Sequence, residues 1–266
     1  MMARDRSEKL RLVFTLKPRS GNTVTITEKP KIEVQRRYGE LSALEALEAI
    51  LSVLRTLQLD DKLHANGRPM KLNNLLASAK NTDHLGQFET STLVFNYGAV
   101  ANAELCQVII TEKIAGAAID WEKWAAPFIV SPHFVQAWIA DVEYDKWQNT
   151  EDPLIYKAAN RDYSSLPMRS NELPPPVEQM VIDISQNPGR WEFRSGYIEA
   201  VGSIMWLSDL FWQYVGSNRK EWLAEFSQAK TEQLTENVLR VEVSETSFKD
   251  QSTRDLQDRL RNVLYG

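Results

Sequence analysis

Residues able to do chemistry are few and scattered. Of the three histidines, His64 and His84 fall in polar stretches about 20 residues apart, and His133 stands beside a Ser-Pro pair. None has a partner at the spacing that metal binding or acid–base work requires. The single cysteine, Cys106, lies inside the apolar run ELCQVIIT, the setting of a buried and inert thiol; alone, it forms no intramolecular disulfide. A GxSxG elbow, an HExxH pair, a CxxC and an Asp-rich calcium loop are all missing from the chain. Carboxylates come closest. Asp141, Glu143 and Asp145 alternate and Glu151-Asp152 adjoin, so either group could hold Mg²⁺, although solvated faces are the plainer reading. No cofactor or metal is expected.

One turn invites closer inspection. ISQNPGRWEFRSGY (184–197) sets Gly189 beside Arg190, as a phosphate cradle would. It matches neither GxxxxGK[ST] nor GxGxxG, and Trp191 and Phe193 crowd the space between Gly189 and Gly196. Asn187, Pro188, Gly189 and Arg190 are therefore read as a structural type II turn, Pro presetting one φ and Gly taking the positive one. Arg190 and Arg194 keep open an anion grip and, with nearby carboxylates, a hydrolase of unknown substrate.

The elements that must position these residues follow from periodicity. KLRLVFTL (9–16) alternates as a half-buried strand, and GNTVTITEKP completes a hairpin with it. LSALEALEAILSVLRTLQ (41–58) is an amphipathic helix, with a short helix at 71–79 and paired strands at 90–97 and 104–111. SPHFVQAWIADVEYDKWQN (131–149) reads as a helix capped by Ser131, with Pro132 at its first position. A strand is expected at 177–185, a long Trp-rich helix at 195–214, a short helix at 219–227, a strand at 237–245 and a closing helix at 252–265. Hairpins first and helices afterwards predict an α+β fold with a largely antiparallel sheet. The expected division is an N-terminal part over 1–148, a polar, proline-ended loop or seam over 149–176 and a C-terminal part over 177–266, which could also form one continuous domain.

Charge is uneven. Residues 1–40 hold ten Lys/Arg against five Asp/Glu, and the rest 21 against 31, giving the net −5. The acidic body disfavours nucleic acid and suits a basic protein partner. All eight tryptophans lie between 121 and 222, more than one core commonly buries, which suggests aromatic anchors for a protein interface. No stretch approaches the ~20 apolar residues that span a bilayer. With no apolar leader at the N-terminus, a cytoplasmic protein without a membrane partner is expected.

WAAPFIVSPHFVQAW, ISQNPGR and GYIEAVGSIMWLSDLFW, in this order over roughly 120–215, resemble the immunity protein 52 family. The resemblance implies a non-catalytic cytoplasmic antitoxin. It would bind and neutralise a type VI or polymorphic toxin carrying a restriction-endonuclease-like nuclease domain. An effector adaptor or chaperone would share that binding chemistry. For the partner contact, the residues singled out are Asp141, Glu143, Asp145, Glu151 and Asp152 with the aromatics Trp147 and Tyr156.

Overall fold

Leu10, Leu12 and Phe14 alternate with Arg11 and Val13, and β1 (Glu8–Thr15) accordingly gives one side chain set to each face of a sheet. The structure, a computed structural model, describes residues 5–17, 39–82 and 85–266. The expected second strand of the N-terminal hairpin lies outside the described residues, as does His84. Helix α1 (Ala43–Thr56) starts in a capping box. The Ser42 hydroxyl accepts from the Glu45 amide at 3.2 Å and the Glu45 carboxylate from the Ser42 amide at 2.8 Å. Its buried stripe of Leu47, Ile50, Leu51 and Leu54 covers the first sheet face. Short strands β2 (His64–Ala65) and β3 (Arg68–Pro69) then lead to α2 (Leu72–Thr82). Strands β4 (Gly86–Glu89), β5 (Leu93–Val100) and β6 (Leu105–Glu112) follow, and α3 (Trp121–Ile129), capped by Asp120, packs beside α1.

The expected helix over 131–149 is instead a strand followed by a short helix: β7 (Phe134–Asp141) and α4 (Val142–Gln148). Ser131 does not cap a helix; its carbonyl accepts from the Phe134 amide in a turn at 3.1 Å. β7 lies between β1 and β12 (Ile204–Ser208), and both of its faces are covered. Every residue from Phe134 to Ile139 is buried, so the two-residue alternation that betrays a strand disappears. The same cause overturns the helix expected at 195–214. That stretch forms the strands β11 (Tyr197–Glu199) and β12, and its helix begins only at Asp209.

Between β7 and β12 the chain forms α5 (Pro153–Ala158), the hairpin β8 (Met168–Ser170) and β9 (Met180–Ile182), and the hairpin β10 (Glu192–Arg194) and β11 (Tyr197–Glu199). Gly196, at φ +84°, turns the second hairpin. After β12 come α6 (Asp209–Val215), α7 (Asn218–Glu225), β13 (Lys230–Thr235), β14 (Val238–Glu242) and α8 (Arg254–Leu264). β13 is exposed along its length and has no apolar signature.

Among the described residues, ten strands make one antiparallel sheet, ordered β13-β14-β12-β7-β1-β6-β5-β4-β2-β3. It runs unbroken from strands preceding the 149–176 segment to strands following it, through the pairing of Met205 with Trp138. Helices α1, α2 and α3 bury one face, while α6, α7, α8 and the β10–β11 hairpin bury the other. The fold is α+β. No helix among the described residues is long and apolar enough to cross a membrane.

Candidate protein-docking surface

The acidic and aromatic residues singled out in the sequence cluster around α4 and α5, but several point inward. Asp141 is 2% exposed. It caps α4 by accepting from the Tyr144 amide at 2.7 Å and is paired with Arg6 at 2.7 Å. Burial pushes its carboxyl above the ordinary value, against the pull of that amide and of Arg6. Asp145, 5% exposed, meets the ammonium of Lys9 and lies 3.7 Å from Arg11. Burial lowers both the Lys9 ammonium and the Arg11 guanidinium, and Asp145 opposes the shift. The Arg11 guanidinium also lies 4.4 Å from the Trp191 ring centre. These two carboxylates fasten α4 to β1 and have almost no surface to give a partner.

Tyr156 is likewise interior at 3% exposed, 4.7 Å from the Trp147 ring and 5.9 Å from that of Tyr163. Trp147 donates its indole N–H to Glu143 and is flanked by Lys146 and Arg161, each 4.6 Å from its ring centre. Glu143 and Asp152 remain exposed, Asp152 capping α5 through the Leu154 amide at 2.8 Å. Glu151 pairs with Arg169 at 3.1 Å. Together these side chains form a braced platform at the root of the 151–183 segment.

The Asn187–Arg190 turn is a corner that joins three elements. The Arg190 amide donates to the Asn187 carbonyl at 3.2 Å, but Gly189 does not take a positive φ, so the expected type II geometry is not adopted. Glycine is required by contact instead, because a Cβ there would lie 2.7 Å from Tyr144 Cε1 and 2.8 Å from Gln148 Cγ. Gln148 Oε1 accepts from the Gly189 amide at 2.9 Å, and Asn149 Oδ1 from the Trp191 amide at 2.7 Å. From α8, buried Arg261 reaches the Pro188 and Arg190 carbonyls and the Glu199 carboxylate. Arg190 donates back to Asn187 at 2.9 Å, and Arg194 pairs with Glu192 and Glu199 at 2.8 Å each. Both arginines considered for an anion are thus engaged within the protein. The cavity beside the turn measures about 10 Å³, space for roughly one water.

Of the remaining candidates, His64 pairs along β2 with Pro69, while the His133 carbonyl accepts from the Thr15 amide at 3.1 Å. Cys106 is buried on β6 against Gly39, whose added Cβ would fall 2.2 Å from its sulfur.

The feature that sequence reading missed is the surface of the 151–183 segment. Six of the twelve large apolar side chains exposed among the described residues lie here: Leu154, Ile155, Met168, Leu173, Val177 and Met180. That concentration separates the segment from the single apolar residues scattered over any surface. The β8–β9 loop is held by its own polar groups. Asn171 Oδ1 accepts from the Leu173 amide at 3.2 Å and the Gln179 amide at 3.1 Å, and Asn171 Nδ2 donates to the Val177 carbonyl at 3.1 Å. The Ser170 hydroxyl accepts from the Glu172 amide and donates to the Glu178 carboxylate, both at 3.1 Å. Leu173 and Val177, more than half exposed, are therefore presented on a loop whose ordering cost is met before binding. Carboxylates adjoin them, Glu172 beside Leu173 and Glu178 beside Val177. Residues 151–183 hold six Asp/Glu against three Lys/Arg, and backbone amides of Ser164 and Ser185 hold the Asp162 and Asp183 carboxyls below their ordinary value. Pre-organised apolar tips within a negative rim suit a basic protein surface that has an apolar recess. The signal was present in sequence as bulky Leu173 and Val177 bracketing three prolines, but without periodicity it reads as linker.

No protein-family model, curated protein or solved structure matches the chain.

Proposed function

We propose that this chain is an immunity protein, one that neutralises a secreted nuclease effector in the cytoplasm by binding it, without chemistry of its own. The observation that carries the reading is the braced, acid-rimmed β8–β9 loop, with Leu173 and Val177 held out to solvent. Nucleases need cationic surfaces to hold their substrate, and an acidic inhibitor with apolar anchors competes for such a surface. The family resemblance supplies the partner class, a type VI or polymorphic toxin with a restriction-endonuclease-like domain.

The test is co-expression with candidate type VI or polymorphic nuclease toxins, any encoded beside this chain's gene first, followed by DNA cleavage by the purified toxin with and without the protein. Rescue of growth together with loss of cleavage is the expected result. Binding that leaves cleavage intact would make the protein an effector adaptor, and toxicity undiminished by co-expression would defeat both readings.

A further inference from the structure

A wider cavity lies away from the Asn187–Arg190 corner, at the β3 end of the sheet. It is an open groove of about 500 Å³ between the β2–β3 hairpin and α2. Met70, Leu75 and Leu85 contribute apolar surface, Asn74 a side-chain amide, and Arg68 and Lys71 exposed cations. Among the described residues neither cation has a carboxylate within ion-pair distance. The groove is thus a recess of mixed polarity, backed by the buried Leu75 and Leu85 and edged by positive charge. The β8–β9 loop carries the opposite charge, with bulky Leu173 and Val177 standing between the exposed carboxylates Glu172 and Glu178.

We infer that the groove receives the β8–β9 loop of a second copy of this chain, Leu173 and Val177 entering the recess while Glu172 and Glu178 meet Arg68 and Lys71. The argument is complementarity of charge between two surfaces of one molecule, cations at the groove and carboxylates at the loop. A two-fold contact of loop against loop would instead oppose like charges. Because the two surfaces differ, the contact is heterologous and propagates from copy to copy rather than stopping at a symmetric dimer. A nine-residue loop makes a small contact, so the association is weak, reversible and screened by salt. It would also cover the surface proposed to meet the effector, so that a tighter-binding partner disperses the assembly.

The experiment is sedimentation velocity of the full chain over a concentration series at low and high salt. Two double variants accompany it, Leu173→Asp/Val177→Asp in the loop and Arg68→Glu/Lys71→Glu in the groove. The unmodified chain should gain mass with concentration and lose it with salt, while each double variant should remain monomeric. Mixed together, the two variants retain one intact loop and one intact groove and should form a heterodimer and nothing larger. Adding Glu172→Lys/Glu178→Lys to the groove variant should restore association, which separates lost complementarity from lost folding. A chain monomeric at every concentration, association surviving either double variant, or a mixture that stays monomeric would each overturn the inference. Neutralisation of a nuclease is read in a different assay, so either proposal can fail while the other stands.

Discussion

Around α4, the carboxylates of Asp141 and Asp145 turn inward to Arg6, Lys9 and Arg11, whereas in the β8–β9 loop Leu173 and Val177 turn outward between Glu172 and Glu178. The first region places ions in the interior and the second places hydrocarbon in water, each against the general preference. In the first, pairing offsets desolvation, because two strands and a helix bring three cations to two carboxylates. In the second, the fold provides no cover, and a hydrogen-bonded loop holds the apolar groups where a partner can reach them. Burial therefore marks the α4 acids as architecture, and exposure marks the loop as the candidate for contact.

This contrast can be broken at several points. Asp145→Ala would leave Lys9 and Arg11 buried without their carboxylate, and removing one partner of a buried pair costs about 3–5 kcal/mol. Urea unfolding should show that loss, and a change below about 1 kcal/mol would mean that water reaches the pair. Gly189→Ala drives a methyl into Tyr144 and Gln148, and overpacking of this kind costs about 1–3 kcal/mol. A shift of the thermal midpoint to lower temperature would report it.

A smaller effect concerns pH. Burial pushes the Glu199 carboxyl up, but Arg194 and Arg261 more than offset it and hold the group below its ordinary value of 4.5. A depressed folded-state pKa means that the unfolded chain binds more protons in that range. Glu199 thus contributes stability above pH 4.5 that is lost as pH falls through its folded value. Glu199→Gln should flatten the acid side of the stability profile below pH 4.5, and an unchanged slope would assign that side to other carboxylates.

The smallest effect on folding belongs to the loop. Leu173→Asp with Val177→Asp should alter stability by no more than about 0.5 kcal/mol per site, as exposed substitutions do, while abolishing nuclease neutralisation. A large loss of stability would show that these side chains serve the core.

The two regions also differ in how far sequence could read them. α1, β6 and α8 each carry a pattern with one interpretation, since one face meets the core and the other is open to water; β1 keeps its alternation although both faces are covered, because Lys9 and Arg11 are matched by the carboxylate of Asp145. β7 and β12 are covered on both sides, and their apolar runs fit a helix as well as a strand. Gly202 could have corrected the second case. An added Cβ would lie 2.8 Å from the Ile139 carbonyl oxygen, which makes the glycine a mark of close backbone approach. Among the suggested contact residues, composition could group Asp141, Asp145, Glu151 and Trp147, but not tell which of them face water.

By itself, the sequence determined the α+β class, the half-buried elements and the acidic character of the body, because these depend on residue type and local period. Only the tertiary structure decided that β7 and β12 are central strands, that Asp141 and Asp145 are interior and that Leu173 and Val177 stand outside. Those outcomes depend on which distant segments cover a residue, and no local pattern carries that information.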